Sequence, residues 1–191
     1  MEEIRELKER LEGERPVEWE ALPDIGLYMD QLISYMPRQL IRYGEGESLT
    51  SAMVNNYIKD GAMPRAEGKR YSRTHLAYLT AICVLKRVMS TRDMDLLIRE
   101  ELRGDRPIPD GYAAFCSSLD KALNAVAGEM EDRTGEDELA DAAIHFALMS
   151  YAAGVASSRY VSLLRQRKET QEAAETAAQP RGKSKKEKER D

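Results

Sequence analysis

Apolar residues recur at three- and four-residue steps along most of this chain, a spacing that predicts helices. Glu2–Glu12 reads as a short polar helix ending near Gly13. Pro23-Asp24 then opens a second helix with Asp24 as its cap. Its face is Ile25, Tyr28, Leu32, Tyr35 and Met36, and it runs to about Arg42 with a kink at Pro37. Gly44–Glu47 breaks the pattern. Thr50 caps a short helix over Ser51–Asp60 that Gly61 closes. Met53, Val54, Tyr57 and Ile58 line one side of it, and Ser51, Asn55, Asn56 and Lys59 face out. Ala62–Tyr71 has no helical period and reads as a loop or a tiny two-stranded wing.

The second half follows the same logic. Ser72 caps a helix striped by Leu76, Leu79, Ile82 and Cys83, and Ser90 with Asp93 makes a capping-box-like start for Met94, Leu97, Ile98 and Leu102. Arg103–Gly111, with two Gly and two Pro, is the expected domain boundary. Tyr112, Phe115, Leu119, Ala122, Val126 and Met130 mark one helix beyond it. A long helix follows from about Glu136 to Lys168. Its seam is Leu139, Ala143, Phe146, Ser150, Ala153, Ser157, Tyr160 and Leu164, and these small residues suit close antiparallel packing of two helices. The expected organisation is therefore a polar helix (1–16), a first domain (17–103), a C-terminal helical hairpin for dimerisation or sensing (104–169) and a disordered charged tail (170–191).

Composition sharpens this picture. Ala, Leu, Glu, Arg and Met dominate and β-branched residues are scarce, which favours an all-α fold. The longest uncharged run, Ala142–Ser158, is short and weakly apolar for a bilayer and is expected to be a tightly packed helix rather than a membrane span. Met1–Glu12 is charged throughout and lacks the apolar region of a signal peptide. Cys83 and Cys116 read as small buried residues of a reduced, cytoplasmic protein. The net charge of −5 conceals a strong asymmetry. Met1–Asp24 carries nine acids against four bases, and Arg92–Asp141 fourteen against six. Between them Thr50–Met89 holds seven bases (Lys59, Arg65, Lys69, Arg70, Arg73, Lys86, Arg87) against two acids.

The basic island coincides with an ordered series of motifs. These are Met53-Val54-Asn55-Asn56-Tyr57-Ile58-Lys59-Asp60-Gly61, then Pro64, then Gly68-Lys69-Arg70-Tyr71-Ser72, then His75-Leu76 and Leu79. Over about Leu22–Leu102 the chain resembles the winged helix-turn-helix of MerR-like regulators. It is more closely similar to a bacterial family, domain of unknown function 1836, through its LPDIGLYMDQ, MVNNYIKDG and KRYSRTHLAYL segments. The resemblance implies a transcriptional regulator with at most a tiny β wing. It departs from the MerR pattern where Asn55 and Asn56 replace the usual Arg-Tyr pair, and in a longer connection through Gly44–Glu47.

The residues support a DNA reading in their own right. Asn55 and Asn56 can pair bidentately with an adenine edge. Thr50 and Ser51 sit where free N–H groups favour a phosphate. Lys59, Lys69, Arg70 and Arg73 supply charge to the backbone. The Tyr57 hydroxyl can reach a phosphate although its ring is partly core by spacing. Tyr71 joins the set through its Tyr-Ser context, with a core anchor as the rival role. Two copies on a pseudo-palindromic duplex follow from how few base pairs one short helix reads. A small-molecule effector in the C-terminal helices is a further expectation.

Catalysis finds no footing. There is no Gly-rich phosphate loop, nucleophile elbow or His-Glu-x-x-His, and neither His75 nor His145 has a partner at metal-ligand spacing. No cofactor or metal is expected. Two rival readings stay open. One is a non-catalytic protein-interaction module on a helix-turn-helix scaffold, to be favoured if the seven bases scatter. The other is a small-molecule-binding helical domain, to be favoured by an apolar pocket between the C-terminal helices.

Overall fold

A computed structural model describes residues 2–40, 49–103, 106–131 and 135–178. The chain is all-α. Among the described residues there are seven α-helices and three short 3-10 turns, and the only extended pairing consists of two isolated antiparallel bridges. The helices are α1 (Glu2–Gly13), α2 (Met29–Tyr35), α3 (Ser51–Lys59), α4 (Arg73–Leu85), α5 (Thr91–Arg103), α6 (Ile108–Glu129) and α7 (Leu139–Ala178). The expected break at Gly44–Glu47 lies outside the described residues.

The centre of the fold is α4. Every residue from His75 to Cys83 is buried, so the helix is surrounded on all sides rather than along the one stripe its apolar spacing suggested. Leu76, Leu79 and Ile82 are wholly inaccessible, and each contributes roughly 1.5–3 kcal/mol by leaving water. Thr80 is tolerated at this depth because its hydroxyl donates to the Leu76 carbonyl, 2.8 Å away. The 3-10 turn Met36–Gln39, α5 and α6 pack around α4. Helix α5 starts where Ser90 Oγ accepts from the Asp93 amide at 3.2 Å and donates to its carboxylate at 2.8 Å. Met94, Ile98 and Leu102 form its buried face.

Two expectations change here. The second helix does not begin at Asp24. It begins at Met29, because Leu22 and Leu27 are the buried anchors of an irregular segment, while Ile25 and Tyr28 are exposed. The Tyr28 amide donates to Gln31 Oε1 at 2.9 Å and so marks the true helix start. In addition, α6, expected to belong with α7 to a C-terminal hairpin, packs on α1, α4 and α5. Gly111 lets it approach α5 closely, since a Cβ there would fall 2.1 Å from the Glu101 carbonyl oxygen. Tyr112 beside it is 1% exposed and donates to the Val17 carbonyl at 2.8 Å, and burial raises its phenol pKa far above the ordinary value. Helix α1 is fixed to α6 by Arg15, which bonds Asp120 and Asn124, and by Lys8, which donates to the Met130 carbonyl.

The chain divides into two units, residues 1–150 and 151–191, and α7 contributes to both. That helix is long and apolar enough to cross a membrane by length and composition alone. The tight packing expected over Ala142–Ser158 is not formed: none of the most apolar 18-residue window of α7 is buried. Of the expected seam, Phe146, Ser157 and Leu164 are half-buried and Leu139 and Tyr160 exposed. Helix α7 also continues through residues 170–178, where disorder was expected, because Ala, Glu and Gln favour helix without burying anything. Residues 179–191 lie outside the described residues.

Candidate nucleic-acid interface

Helix α3 is built almost entirely by local rules. Thr50 Oγ1 accepts from the Met53 amide at 3.3 Å and closes the N-terminus. At the other end Gly61 adopts φ +76°. The Gly61 amide donates to the Ile58 carbonyl at 3.2 Å and the Ala62 amide to the Tyr57 carbonyl at 2.8 Å. This pair of hydrogen bonds across a left-handed glycine is the Schellman closure. Val54 is wholly buried, and Met53, Tyr57 and Ile58 are half-buried. That leaves Ser51, Ala52, Asn55, Asn56 and Lys59 exposed. The helix thus presents two adjacent amides and an ammonium on a face whose reverse side is held by the core.

The segment after α3 is anchored at both ends and turned out in the middle. Ala62 and Met63 are buried. Glu67 and Arg70 exchange both backbone hydrogen bonds, at 2.9 and 3.1 Å, around Gly68 (φ +55°) and Lys69 (φ +63°). Positive φ at both central positions is the signature of a type I′ turn. Lys69 is the one described residue other than glycine in the left-handed region, a conformation that costs an L-residue about 1–2 kcal/mol. Tyr71 then pairs with Leu27 through two backbone bonds of 2.8 and 2.9 Å.

The sequence-predicted residues separate into two groups here. Thr50, Ser51, Asn55, Asn56, Lys59 and Lys69 are exposed. Tyr57 is half-buried, as its spacing suggested. Arg70 is exposed but committed. Its guanidinium lies 4.6 Å from the Tyr28 ring centroid and donates to the Gly26 carbonyl at 3.1 Å and the Tyr28 hydroxyl at 3.0 Å. Arg73 is half-buried and leans on Trp19 at 5.8 Å. Tyr71 is a core residue, 5% exposed, with its ring edge-on to His75 at 5.3 Å and its phenol pKa raised by burial. Of the seven bases, five lie between residues 59 and 73. Lys86 and Arg87 follow the far end of α4, roughly 20 Å from Arg73 along its axis.

Three residues not singled out as contacts in the sequence complete the arrangement. Gly26 sits beneath Arg70, where a Cβ would come within 2.8 Å of the arginine Cβ. Tyr28 supplies the ring and the acceptor. His75 joins the turn to α4: its Nδ1 accepts from the Ser72 amide at 3.0 Å, so the proton is on Nε2, which donates to the Arg65 carbonyl at 3.2 Å. Burial lowers the His75 pKa, so the neutral ring is favoured. The Tyr-Ser and Ser-x-x-His spacings were the available signals for His75; Gly26 and Tyr28 lie in the LPDIGLYMDQ segment, which does not tell that they meet Arg70.

No three acids, histidines or cysteines among the described residues are placed to hold a metal ion. No curated protein and no solved structure matches the chain. A family model matches residues 17–113, a stretch that contains α2 to α5, the first turns of α6 and all ten sequence-predicted site residues. The chain belongs to that family, described as a domain of unknown function (DUF1836).

Proposed function

We propose that this protein is a sequence-specific DNA-binding transcriptional regulator of the cytoplasm, with a MerR-like winged helix-turn-helix. Helix α3 lies in the major groove, and the turn around Gly68 and Lys69 is the wing. The observation that carries the reading is the exposed face of α3, where Ser51, Asn55, Asn56 and Lys59 stand on a doubly capped helix whose other side is buried. Adjacent amides offer the donor-acceptor pair that an adenine edge requires. Lys69 adds a cation at the tip of a turn held in a costly backbone conformation, a feature more often kept for contact than for packing.

Asn55 and Asn56 read bases. Thr50, Ser51, Lys59 and Lys69 meet phosphates. Arg70 and Tyr71 act as positioning residues that fix the wing against Leu27 and Tyr28, with Arg70 keeping further N–H donors for the backbone. Two copies reading a pseudo-palindrome supply the site length that one short helix lacks.

One observation favours the protein-interaction reading instead. Lys86 and Arg87 lie apart from the other five bases, so the basic island does not gather on α3 alone. Selection from a pool of random duplexes separates the two. A regulator enriches a two-fold related site and binds it with strong salt dependence. Absence of enrichment, with weak binding indifferent to sequence, would leave the interaction module in front.

A further inference from the structure

One face of α7 is apolar and exposed in a repeating order. Ile144, Leu148, Tyr151 and Val155 follow steps of four, three and four, and are 57, 63, 72 and 54% exposed. At about 100° per residue they fall within a narrow band of the helix surface. The band is bounded by one acid and one base, Asp141 before it and Arg159 after it, both exposed. Residues 142–158 between them carry no acid, lysine or arginine.

We propose that this face is where a second copy of the chain docks, antiparallel, about a two-fold axis beside residue 150. The charges fix the direction. A parallel pairing would oppose Asp141 to Asp141 and Arg159 to Arg159. The antiparallel one places each Asp141 against the other copy's Arg159, lays Ile144 against Val155 and Leu148 against Tyr151, and repeats every contact under the two-fold. The heptad-like steps keep the band facing a partner helix over three turns. Ala140, Ala147 and Ala152 border it with small side chains that permit close approach.

A lipid bilayer is the competing occupant and fits less well. Asp141 and Arg159 are about 27 Å apart along the helix, within a hydrocarbon core of about 30 Å. His145, Ser150, Ser157 and Ser158 would also lose water there. The proposal names the surface behind the two-copy element of the proposed function, but it is read from α7 alone. Its test uses no DNA, so either can fail without the other.

The test is sedimentation equilibrium of the full chain beside Asp141→Arg, Arg159→Asp, the double exchange and Leu148→Glu, with helicity checked by circular dichroism. The expected result is a wild-type dimer and about tenfold weaker association for each single charge variant, the size of two exposed ion pairs turned repulsive. The double exchange restores association, an equimolar mixture of the two single variants pairs, and Leu148→Glu is monomeric. A wild-type chain that stays monomeric to about 100 µM, far above a working affinity, overturns the proposal. So does a dimer that the double exchange fails to restore. Binding of the wild type to neutral phosphatidylcholine vesicles that Leu148→Glu abolishes also overturns it, and assigns the face to membrane.

Discussion

Arg70 stacks on Tyr28, its guanidinium carbon 4.6 Å from the ring centroid, while donating to the hydroxyl of the same side chain. A residue that sequence alone marks as a phosphate contact is thereby a strut. It holds the turn at Gly68 and Lys69 against the segment leading into α2. Tyr28→Ala removes ring and acceptor together and is expected to cost about 1 kcal/mol, the worth of an exposed cation-π contact and a hydrogen bond. Tyr28→Phe should cost less than half of that. Urea unfolding gives both numbers. Faster amide exchange at Leu27 and Tyr71 in the alanine variant would place the loss at this strut, and unchanged exchange there would remove the role assigned to Arg70.

Lys69→Gly separates backbone strain from charge. Glycine occupies φ +63° without penalty, so the variant is expected to be up to about 1 kcal/mol more stable while binding DNA more weakly. A variant less stable than wild type in thermal melts would show that the lysine is not strained at this position.

Gly111 and Gly128 make a matched pair on α6. An alanine at 111 drives a methyl group into the Glu101 carbonyl, and the helices must part at a cost of roughly 1–3 kcal/mol or more. An alanine at 128 meets nothing within 4 Å and should raise stability by up to about 1 kcal/mol through helix propensity. Denaturant midpoints of the two variants should move in opposite directions.

The neutral, buried His75 makes stability depend on pH. Its folded-state pKa is lowered, so the unfolded chain binds the proton more readily. The stabilisation is complete above the ordinary histidine value and is lost as pH falls through the folded value. Thermal melts between pH 5 and pH 8 should therefore show a loss on acidification that shrinks in His75→Gln. A loss of equal size in the variant would assign it to other groups.

The legible parts of this protein are those decided within a few residues. Thr50, Gly61, Ser72 and Ser90 end or begin helices through bonds to near neighbours, so α3 and the starts of α4 and α5 follow from the text. The start of α2 does not. Ile25, Tyr28 and Leu32 keep a helical spacing by coincidence, and only the long-range pairing of Leu27 with Tyr71 shows that this stretch is extended. The same pairing turns Tyr71 inward, which its motif could not show. The place of α6 rests on a close approach at Gly111 to a carbonyl of another helix, and no periodicity encodes that. The apolar stripe on α7 lies opposite the small-residue seam, and both faces are largely exposed; the pattern of a helix does not say whether either face is covered within the chain.

In the proposed function α3 reads bases and the turn holds phosphates. Its most direct test is quantitative sequence preference, measured against salt, for wild type, Asn55→Ala/Asn56→Ala and Lys69→Ala on the same set of duplexes. The asparagine pair is expected to lose discrimination among sequences. The lysine variant should keep discrimination but bind every duplex more weakly, with a salt slope smaller by about one. Three proteins with the same preference and the same slope, or a wild type with no preference at all, would contradict it.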